Sequence, residues 1–466
     1  MSKENLNEEQ LKDALADEET AEVVITEPEQ EEAVQAQEAT EEAAETAAEE
    51  VNGEMTEEVP EEASEENADE VITVKGEAPT QEKKPKPKGR VIFSLFITFF
   101  CLLILFLSAY GFLVPDKDYS DNESRLLSQA PEITVAGVLD GSFMKKLESY
   151  LTDQFPFRNG CIYLKSLFDT VLGKKEENGA YIGKNGFLFE KPTPFDEEKM
   201  HKTADGINQF AEKNKDKNIV FALAPNSSFI YAENLPDFLE TENQREQIEG
   251  FKGLLDEGII KIDVTEALLE AKKEHQVFYK SDHHWTTRGG FAAFVKIMES
   301  FDENIDIGDF EFYTVSNSFE GTLKSKSLSR NTADSLEVCF PKESQGTYFV
   351  EFSGEGNKRE SLFFKEKLGE KNHYEVFLGG NYAKVTITTT LEGDRKLLVI
   401  KDSFANCVIP MLTPYFSKIV VTDPRYMTES MDGIMQEDAF TDILFLYNAD
   451  TFFEDSTLLP VLAKEN

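Results

Sequence analysis

The stretch "SDHHW", residues 281–285, holds two of the five histidines of the chain, with an aspartate before them and the only tryptophan after them. In an extended segment, residues two apart face the same side. Asp282 and His284 are therefore predicted to lie together, while His283 points the opposite way. An aspartate beside an imidazole accepts a hydrogen bond from one ring nitrogen and leaves the other free to take a proton. The spacing predicts His284 as a general base and Asp282 as the residue that orients it.

A serine that such a base could activate follows the apolar run 397–400. Ser403 stands between the end of this predicted strand and a predicted helix, where backbone N–H groups can stabilise an oxyanion. The alternative is structural, because Asp402 or Ser403 can simply cap the helix. A serine is a nucleophile candidate only if a base reaches it, and His284 supplies a candidate base.

Two other interpretations of the histidine pair stay open. Two histidines and an aspartate are legitimate Zn or Fe ligands. Adjacent histidines diverge in a strand, however. The remaining histidines show no HExxH or HxH spacing: His201, His275 and His373. We therefore predict neither a metal nor a cofactor. The other interpretation is structural, with His283 hydrogen-bonded in the core or supporting the turn and Trp285 packed beside it.

The chain around these residues alternates between helix and strand patterns from residue 198 onward, as in the helical run 199–213 and the apolar run "NIVFALAP". Such alternation predicts an α/β domain over 198–466, with a flavodoxin-like parallel sheet and helices on both faces. Any ligand site is expected at the carboxyl ends of the strands. Residues 308–392 lose the alternation and gain aromatic and β-branched runs, which predicts an antiparallel β-rich insertion.

Residues 115–197 precede this domain as a linker followed by a helical and hairpin region. Apolar residues at three- to four-residue spacing predict a helix over about 140–153. The Asn-Gly pair in "AYIGKNGFLFE" predicts a tight hairpin turn.

The amino-terminal part of the chain is strongly acidic. Residues 1–80 hold 28 Asp and Glu against 3 Lys and no aromatic residue. A segment of this composition cannot bury enough apolar surface to fold, so we predict a disordered tail over 1–82.

A basic flank and an uncharged run, residues 83–114, follow the tail. The flank contains "KKPKPKGR", and 91–114 is long enough to cross a bilayer as one helix. The positive-inside rule places the tail in the cytoplasm and the carboxyl-terminal domain outside the cell membrane. A cleaved signal peptide is the alternative, but its apolar region would be shorter and would rarely follow so long a leader.

The cysteines and the charge exclude some classes of protein. Cys101 lies in the apolar run, and Cys161, Cys339 and Cys407 have no CxxC or metal-ligand spacing, so free thiols are expected, although one disulfide is possible. The exported part is itself acidic and has no basic stripe, which argues against a nucleic-acid partner.

At these residues the sequence resembles the DHHW protein family. "SDHHWTTRGGF" matches the signature for which the family is named, and "VIKDSFANCVIPML" with "FSKIVVTDPRY" looks like its second conserved block. The similarity covers most of residues 120–450. The family is related to SGNH hydrolase-like proteins of alginate O-acetylation. The resemblance implies that Asp282 orients, His284 acts as base and Ser403 accepts the acyl group.

The sequence also departs from this pattern. Lys401 stands where SGNH hydrolases have the glycine of Gly-Asp-Ser, and the Asp and His precede the serine. The oxyanion donors are therefore open. Asn226, in "ALAPNSS", is either an amide donor or an ordinary turn residue. Arg425 and Tyr426, in "TDPRY", correspond to a block that looks substrate-contacting in the relatives, and a surface turn is the alternative.

These observations favour a membrane-anchored O-acyltransferase that acts on an extracellular or cell-wall glycan. The resemblance implies a polytopic membrane-bound O-acyltransferase as a partner. An esterase that deacetylates glycans would use the same triad, and a glycan-binding scaffold with a decayed site is a third hypothesis.

Overall fold

The computed structural model describes residues 88–463, except 121–124, 238, 240–242, 328–331, 343–346 and 355–357. The acidic tail predicted over 1–82 lies outside the described residues, and so do residues 83–87 of the basic flank.

The uncharged run forms the helix α1, Lys88–Leu113. Its segment Ile92–Gly111 has a mean hydropathy of 2.7 over 20 residues. At about 1.5 Å per residue, this segment is long and apolar enough to cross a membrane.

The remaining helices and strands agree with most of the predicted pattern. The helices are α2 Val135–Leu139, α3 Ser142–Asp153, α4 Arg158–Val171, α5 Glu197–Lys213, α6 Ser227–Ile230, α7 Gln244–Lys252, α8 Thr265–Ala271, α9 Thr287–Glu299, α10 Thr322–Ser327, α11 Ile409–Leu412, α12 Met431–Glu437, α13 Ala449–Glu454 and α14 Leu458–Ala463. The strands are β1 Tyr119–Ser120, β2 Arg125–Leu126, β3 Glu176–Glu177, β4 Ala180–Ile182, β5 Leu188–Glu190, β6 Asn218–Ala224, β7 Ile259–Asp263, β8 Phe310–Phe319, β9 Asp334–Pro341, β10 Tyr348–Phe352, β11 Lys358–Arg359, β12 Lys384–Thr389, β13 Lys396–Lys401, β14 Lys418–Thr422 and β15 Asp442–Asn448.

The central sheet has the strand order β11-β10-β12-β14-β13-β15-β6-β7. The five strands from β14 to β7 are parallel, which confirms the predicted parallel-sheet α/β class. The strands β12, β10 and β11 extend this sheet antiparallel, so part of the β-rich region joins the main sheet. The hairpin β8–β9 forms a separate two-stranded sheet.

Helices cover both faces of the sheet. Leu397 and Val399 of β13 belong to the core beneath α9, whereas Leu398 and Ile400 belong to the core beneath α5 and α7. Both sets of side chains are fully buried. This double burial is the reason that the strand reads as an unbroken apolar run.

The hairpin predicted at the Asn-Gly pair is present between β4 and β5. Asn185 and Gly186 have φ values of 55° and 78°. Only residues that tolerate the left-handed region fit such a turn, which explains the sequence signal.

Candidate active site

The predicted base lies in a loop that precedes α9. Residues 280–284 form consecutive bends, and the chain becomes regular again only at Trp285. Asp282 Oδ1 accepts two hydrogen bonds from His284, one from its backbone N–H at 3.0 Å and one from Nδ1 at 2.6 Å. Because the carboxylate holds the proton on Nδ1, the Nε2 atom is left as an acceptor.

Ser403, which lies 119 residues after His284 in the chain, contacts this acceptor. It follows β13 directly, and its hydroxyl donates to His284 Nε2 at 2.8 Å. Asp282 and His284 are buried, while Ser403 is half-buried. The three residues form a continuous Ser-His-Asp relay of hydrogen bonds, with the geometry of an activated serine nucleophile.

A second contact to Asp282 comes from the start of α10. Thr322 donates to Asp282 Oδ2 from its backbone N–H at 2.7 Å and from its hydroxyl at 3.0 Å. The preceding residue must be glycine, because a Cβ on Gly321 would lie 2.2 Å from the Asp282 Cβ. Thr322 is not among the predicted site residues, since it lies in the region predicted as a β-rich insertion.

Asp334, at the start of β9, holds the loop that carries Asp282. One of its oxygens accepts from the backbone N–H of Ser281 at 2.8 Å and from the Ser281 hydroxyl at 2.6 Å. The other accepts from the Lys280 N–H at 3.0 Å and the Gln276 amide at 2.8 Å. These charge-assisted bonds help to fix an irregular segment, together with the Leu188 N–H of β5, which donates to the Lys280 carbonyl at 2.9 Å.

Aromatic side chains enclose the imidazole of His284. Tyr374 stacks on it with ring centroids 3.8 Å apart and planes at 12°. The Tyr374 hydroxyl also donates to the Ser403 carbonyl at 3.1 Å, and Trp285 Nε1 donates to the Phe404 carbonyl at 2.8 Å. Tyr374 and Trp285 therefore join the His284 loop to the turn that carries Ser403.

The predicted direction of His283 is wrong. Its ring lies 3.9 Å from that of His284, and its Nδ1 lies 2.8 Å from the Thr322 hydroxyl. The prediction assumed an extended segment, in which neighbours point to opposite faces, but the bends at 281–284 remove that alternation.

The same bends invalidate the argument that adjacent histidines must diverge from a shared metal. The ligand atoms of Asp282, His283 and His284 all lie within 4.8 Å of one another. Both nitrogens of His284 are nevertheless engaged, by Asp282 and Ser403, so a metal at this cluster would have to displace existing hydrogen bonds.

Burial and charge set the protonation states of the relay. Burial disfavours ionisation of Asp282, but its interactions with His283 and His284 and the Thr322 amide outweigh that effect, so the pKa of Asp282 lies well below its ordinary value. Burial and, after it, the neighbouring His283 lower the pKa of His284 to about 4, and Asp282 opposes that shift only in part. His284 is thus neutral at pH 7, the state that a general base requires.

This pKa predicts the acid limit of activity. A base works only when unprotonated, so a histidine with a pKa lowered to about 4 should keep activity nearly constant from pH 7 to pH 5.5. An ordinary histidine, with a pKa near 6.5, would already have lost most of its activity at pH 5.5. The pH profile of kcat/KM for an uncharged acetyl ester measures the limit, and a half-maximal point near pH 6.5 would contradict the prediction.

Lys401 replaces the glycine of the SGNH motif without entering the relay. Its side chain is buried, and Nζ donates to Asn406 at 2.8 Å and to Asn381 at 3.1 Å, with Asp423 at 3.5 Å. Burial lowers the pKa of Lys401, and Asp423 opposes that shift.

Arg425 and Tyr426 follow β14 in a 3₁₀ turn, Pro424–Tyr426. The Arg425 guanidinium forms two bonds to Asp423, at 2.9 and 2.7 Å, and lies 5.7 Å from the Tyr426 ring centre. Tyr426 is 51% exposed. Arg425 lines a cleft of about 570 Å³ that His283 also lines, whereas Tyr426 does not line it.

Asn226 lies in a buried polar network at the neighbouring strand ends. Its amide nitrogen donates to Asp450 at 2.6 Å, and its oxygen accepts from Asn448 at 2.9 Å. The Asn448 N–H in turn donates to Asp402 at 2.9 Å, so the network reaches the residue before Ser403. The structure therefore directs the Asn226 amide towards Asp450.

Residues 181–363 match the family described as SGNH hydrolase-like domain, acetyltransferase AlgX. Over these residues the chain is similar to an SGNH hydrolase-like domain. The resemblance to SGNH hydrolase-like proteins inferred from the sequence is thereby confirmed.

Named relatives of the SGNH hydrolase-like domain agree with this assignment. A protein of Pseudomonas syringae pv. tomato, named probable alginate O-acetylase AlgJ, is 26% identical over 207 residues, which are 43% of this chain and 50% of that protein. The protein of the same name from Azotobacter vinelandii is 26% identical over 160 residues, 33% of this chain and 41% of that one. The chain spans about half the length, or less, of the curated relatives that it matches.

Solved structures share the fold of the SGNH hydrolase-like domain. A DHHW family protein from Eubacterium siraeum matches with a TM-score of 0.52 and 21% identity, over 62% of this chain and 95% of that one. Bacillus cereus PatB1 with a sulfonyl adduct matches with a TM-score of 0.51 and 19% identity, over 60% of this chain and 96% of that one.

Proposed function

We propose that the protein is a membrane-anchored, extracytoplasmic O-acetyltransferase that modifies an exopolysaccharide or cell-wall glycan. The observation that carries this proposal is the 2.8 Å contact between Ser403 Oγ and His284 Nε2, with Asp282 on the opposite ring nitrogen. Both relatives carry the name probable alginate O-acetylase, which supports acetyl as the transferred group.

The reaction proceeds in two halves. Ser403 Oγ attacks the carbonyl of an acetyl donor while its proton passes to His284 Nε2, and collapse of the tetrahedral adduct expels the donor oxygen with that proton. A sugar hydroxyl then attacks the acetyl-serine, and His284 takes the hydroxyl proton and returns it to Ser403. Asp282 stays ionised throughout and stabilises the imidazolium.

The developing oxyanion needs hydrogen-bond donors near Ser403. Ser403 is the first residue of a 3₁₀ helix, Ser403–Cys407, and the first N–H groups of a helix have no partner within that helix. We assign the Ser403 N–H as one donor. Asn226 would serve as a second only after its amide leaves Asp450.

The proposed anchor determines on which side of the membrane the catalytic domain lies. α1 would cross the cell membrane, and the basic residues 83–90 would keep its amino end in the cytoplasm. The catalytic domain then meets glycans outside, and a polytopic membrane-bound O-acyltransferase would supply acetyl groups from inside.

Transfer and hydrolysis differ only in the second nucleophile, so a product assay separates them. The purified full chain would be incubated with a chromogenic acetyl ester, with and without neutral oligosaccharides or oligouronates. We expect acetylated sugar as the product, with release of free acetate falling as acceptor is added. Free acetate that is independent of every acceptor would identify an esterase, and no turnover of any ester would favour the scaffold.

The same assay tests the acceptor charge and the metal. Residues 91–466 carry 60 Asp and Glu against 39 Lys and Arg, so a neutral oligosaccharide should be acetylated faster than an oligouronate at low salt. A chelator should leave the rate unchanged. Loss of activity with the chelator, restored by Zn²⁺, would instead favour the metal interpretation of Asp282, His283 and His284.

A further inference from the structure

Two helices between the membrane span and the catalytic domain expose apolar side chains along one stripe each. Five exposed residues, here called the apolar stripe, lie on α3 and α4 at intervals of three, four or seven residues: Met144, Leu151, Leu164, Leu167 and Phe168. Their exposed fractions range from 48% to 61%. Side chains at this spacing share a helix face, and such apolar faces in a soluble region usually mark an interaction surface.

The position of these helices indicates what covers the stripe. Tyr110, near the end of the membrane-spanning segment, stacks on Phe157 in the turn between α3 and α4, with ring centroids 4.9 Å apart. Gly111, the last residue of that segment, packs on Pro156 of the same turn, since a Cβ there would meet the proline ring at 3.6 Å. The turn thus contacts Tyr110 and Gly111, the last residues of the candidate span, which belong to the same compact unit as α3 and α4.

The charge of the same region points to the same surface. Residues 142–171, which are the two helices and their turn, hold four Lys and Arg against three Asp and Glu, whereas residues 91–466 as a whole carry 60 Asp and Glu against 39 Lys and Arg. Basic residues that flank an apolar helix face are typical of helices that lie on anionic lipid.

We propose that α3 and α4 lie on the surface of the membrane that α1 crosses, with the apolar stripe inserted at the boundary between headgroups and acyl chains. The span alone would leave the catalytic domain free to rotate about its anchor. A second, lateral contact with lipid holds the domain at a constant height and orientation above the bilayer. This inference rests on the membrane anchor proposed above and is independent of the acetyltransferase activity.

Cys161 provides a native reporter for this contact. It is exposed and lines a cavity of about 730 Å³ between α3 and α4, together with Met144 and Leu151. Cys339 and Cys407 are buried, so the Cys101→Ser variant leaves Cys161 as the accessible thiol of the described residues.

The test uses the full chain in vesicles of phosphatidylcholine and phosphatidylglycerol, with an environment-sensitive fluorophore on Cys161 of the Cys101→Ser variant. The control is a label at Lys215→Cys, an exposed site in the catalytic domain, in a background that also carries Cys161→Ser. We expect the Cys161 label to show blue-shifted emission. Its quenching by 5-doxyl phosphatidylcholine should be at least threefold stronger than that of the control label. Equal quenching at both sites would overturn the proposal, and would leave a protein partner as the covering surface.

A matched pair of variants in α3 distinguishes the effect of a charge on the apolar stripe from the effect of the same charge elsewhere on the helix. Leu151→Glu places a carboxylate on the stripe, whereas Ser149→Glu places one on an exposed polar position of the same helix. We expect Leu151→Glu to reduce the quenching of the Cys161 label by at least half and Ser149→Glu to leave it unchanged. Hydrolysis of a soluble acetyl ester should be normal in both, which shows that the domain is folded. Equal quenching in the two variants would contradict the proposal.

Discussion

Replacing Ser403 with alanine is expected to reduce acetyl transfer by roughly 10⁵-fold or more, as loss of the nucleophile or base does in comparable triads. The hydroxyl that donates to His284 Nε2 would be gone, and no acetyl-enzyme could form. His284→Ala should cost about as much, and the double variant little more, because nucleophile and base act as one unit. Single-turnover release of the chromogenic alcohol measures all three.

Ser227 offers a matched control for this substitution. It stands in the first turn after β6, much as Ser403 follows β13, and it is buried. Ser227→Ala should retain activity within about twofold, since among the serines of the described residues it is the Ser403 hydroxyl that donates to His284. A Ser403→Ala enzyme that still transfers acetyl groups at the original rate would eliminate the serine mechanism.

Changing Asp282 to asparagine is expected to lower kcat by about 10⁴-fold, the cost of losing the orienting carboxylate in a serine triad. The carboxylate accepts from both the backbone and the ring of His284. His284 and Thr322 both donate to the Asp282 carboxylate, so the N–H₂ of an asparagine would face one of these donors. The neutral amide would also no longer stabilise an imidazolium.

The variant must be shown to be folded for that result to count. Trp285 is the only tryptophan and is fully buried beside the loop, so its fluorescence reports local packing. We expect an unchanged emission maximum in Asp282→Asn. Activity within tenfold of the original enzyme, with normal fluorescence, would show that Asp282 does not orient the base.

The parallel part of the fold was predictable because four of its five strands, all except the edge strand β7, are buried on both sides. The runs at 218–224 and 442–448 have no alternation of polar residues, and in the structure these two strands pair along their whole length. The antiparallel edge was harder to place, since β10 has one face exposed and its alternating pattern does not reveal which strand it pairs with.

The site was predictable where chemistry and spacing coincide in the sequence. Asp282 and His284 are two residues apart, and Ser403 ends an apolar strand. Thr322, Asp334 and Tyr374 support the site from other segments, and their residue types are ordinary for turns, strand starts and cores. Only the three-dimensional contact distinguishes them.

The direction of His283 could not be predicted for a related reason. The loop conformation is set by hydrogen bonds to Asp334, which lies 53 residues beyond Ser281. The alternation of side chains in a strand predicts that Asp282 and His284 lie together. They do lie together, but the backbone between them is bent and not extended. The Asp282 side chain reaches His284 within a bend, as short polar side chains commonly do in turns.

The strand that carries Ser403 has a parallel neighbour on each side, β14 and β15. Its amides can exchange with solvent only when the sheet opens as a whole, whereas the loop of His284 is tied to the body mainly by side chains. The proposed nucleophile therefore follows a strand that is paired on both sides, whereas its proposed base lies in a loop that we expect to be displaced more easily. Thermal inactivation would then begin with separation of the pair while the sheet is still intact.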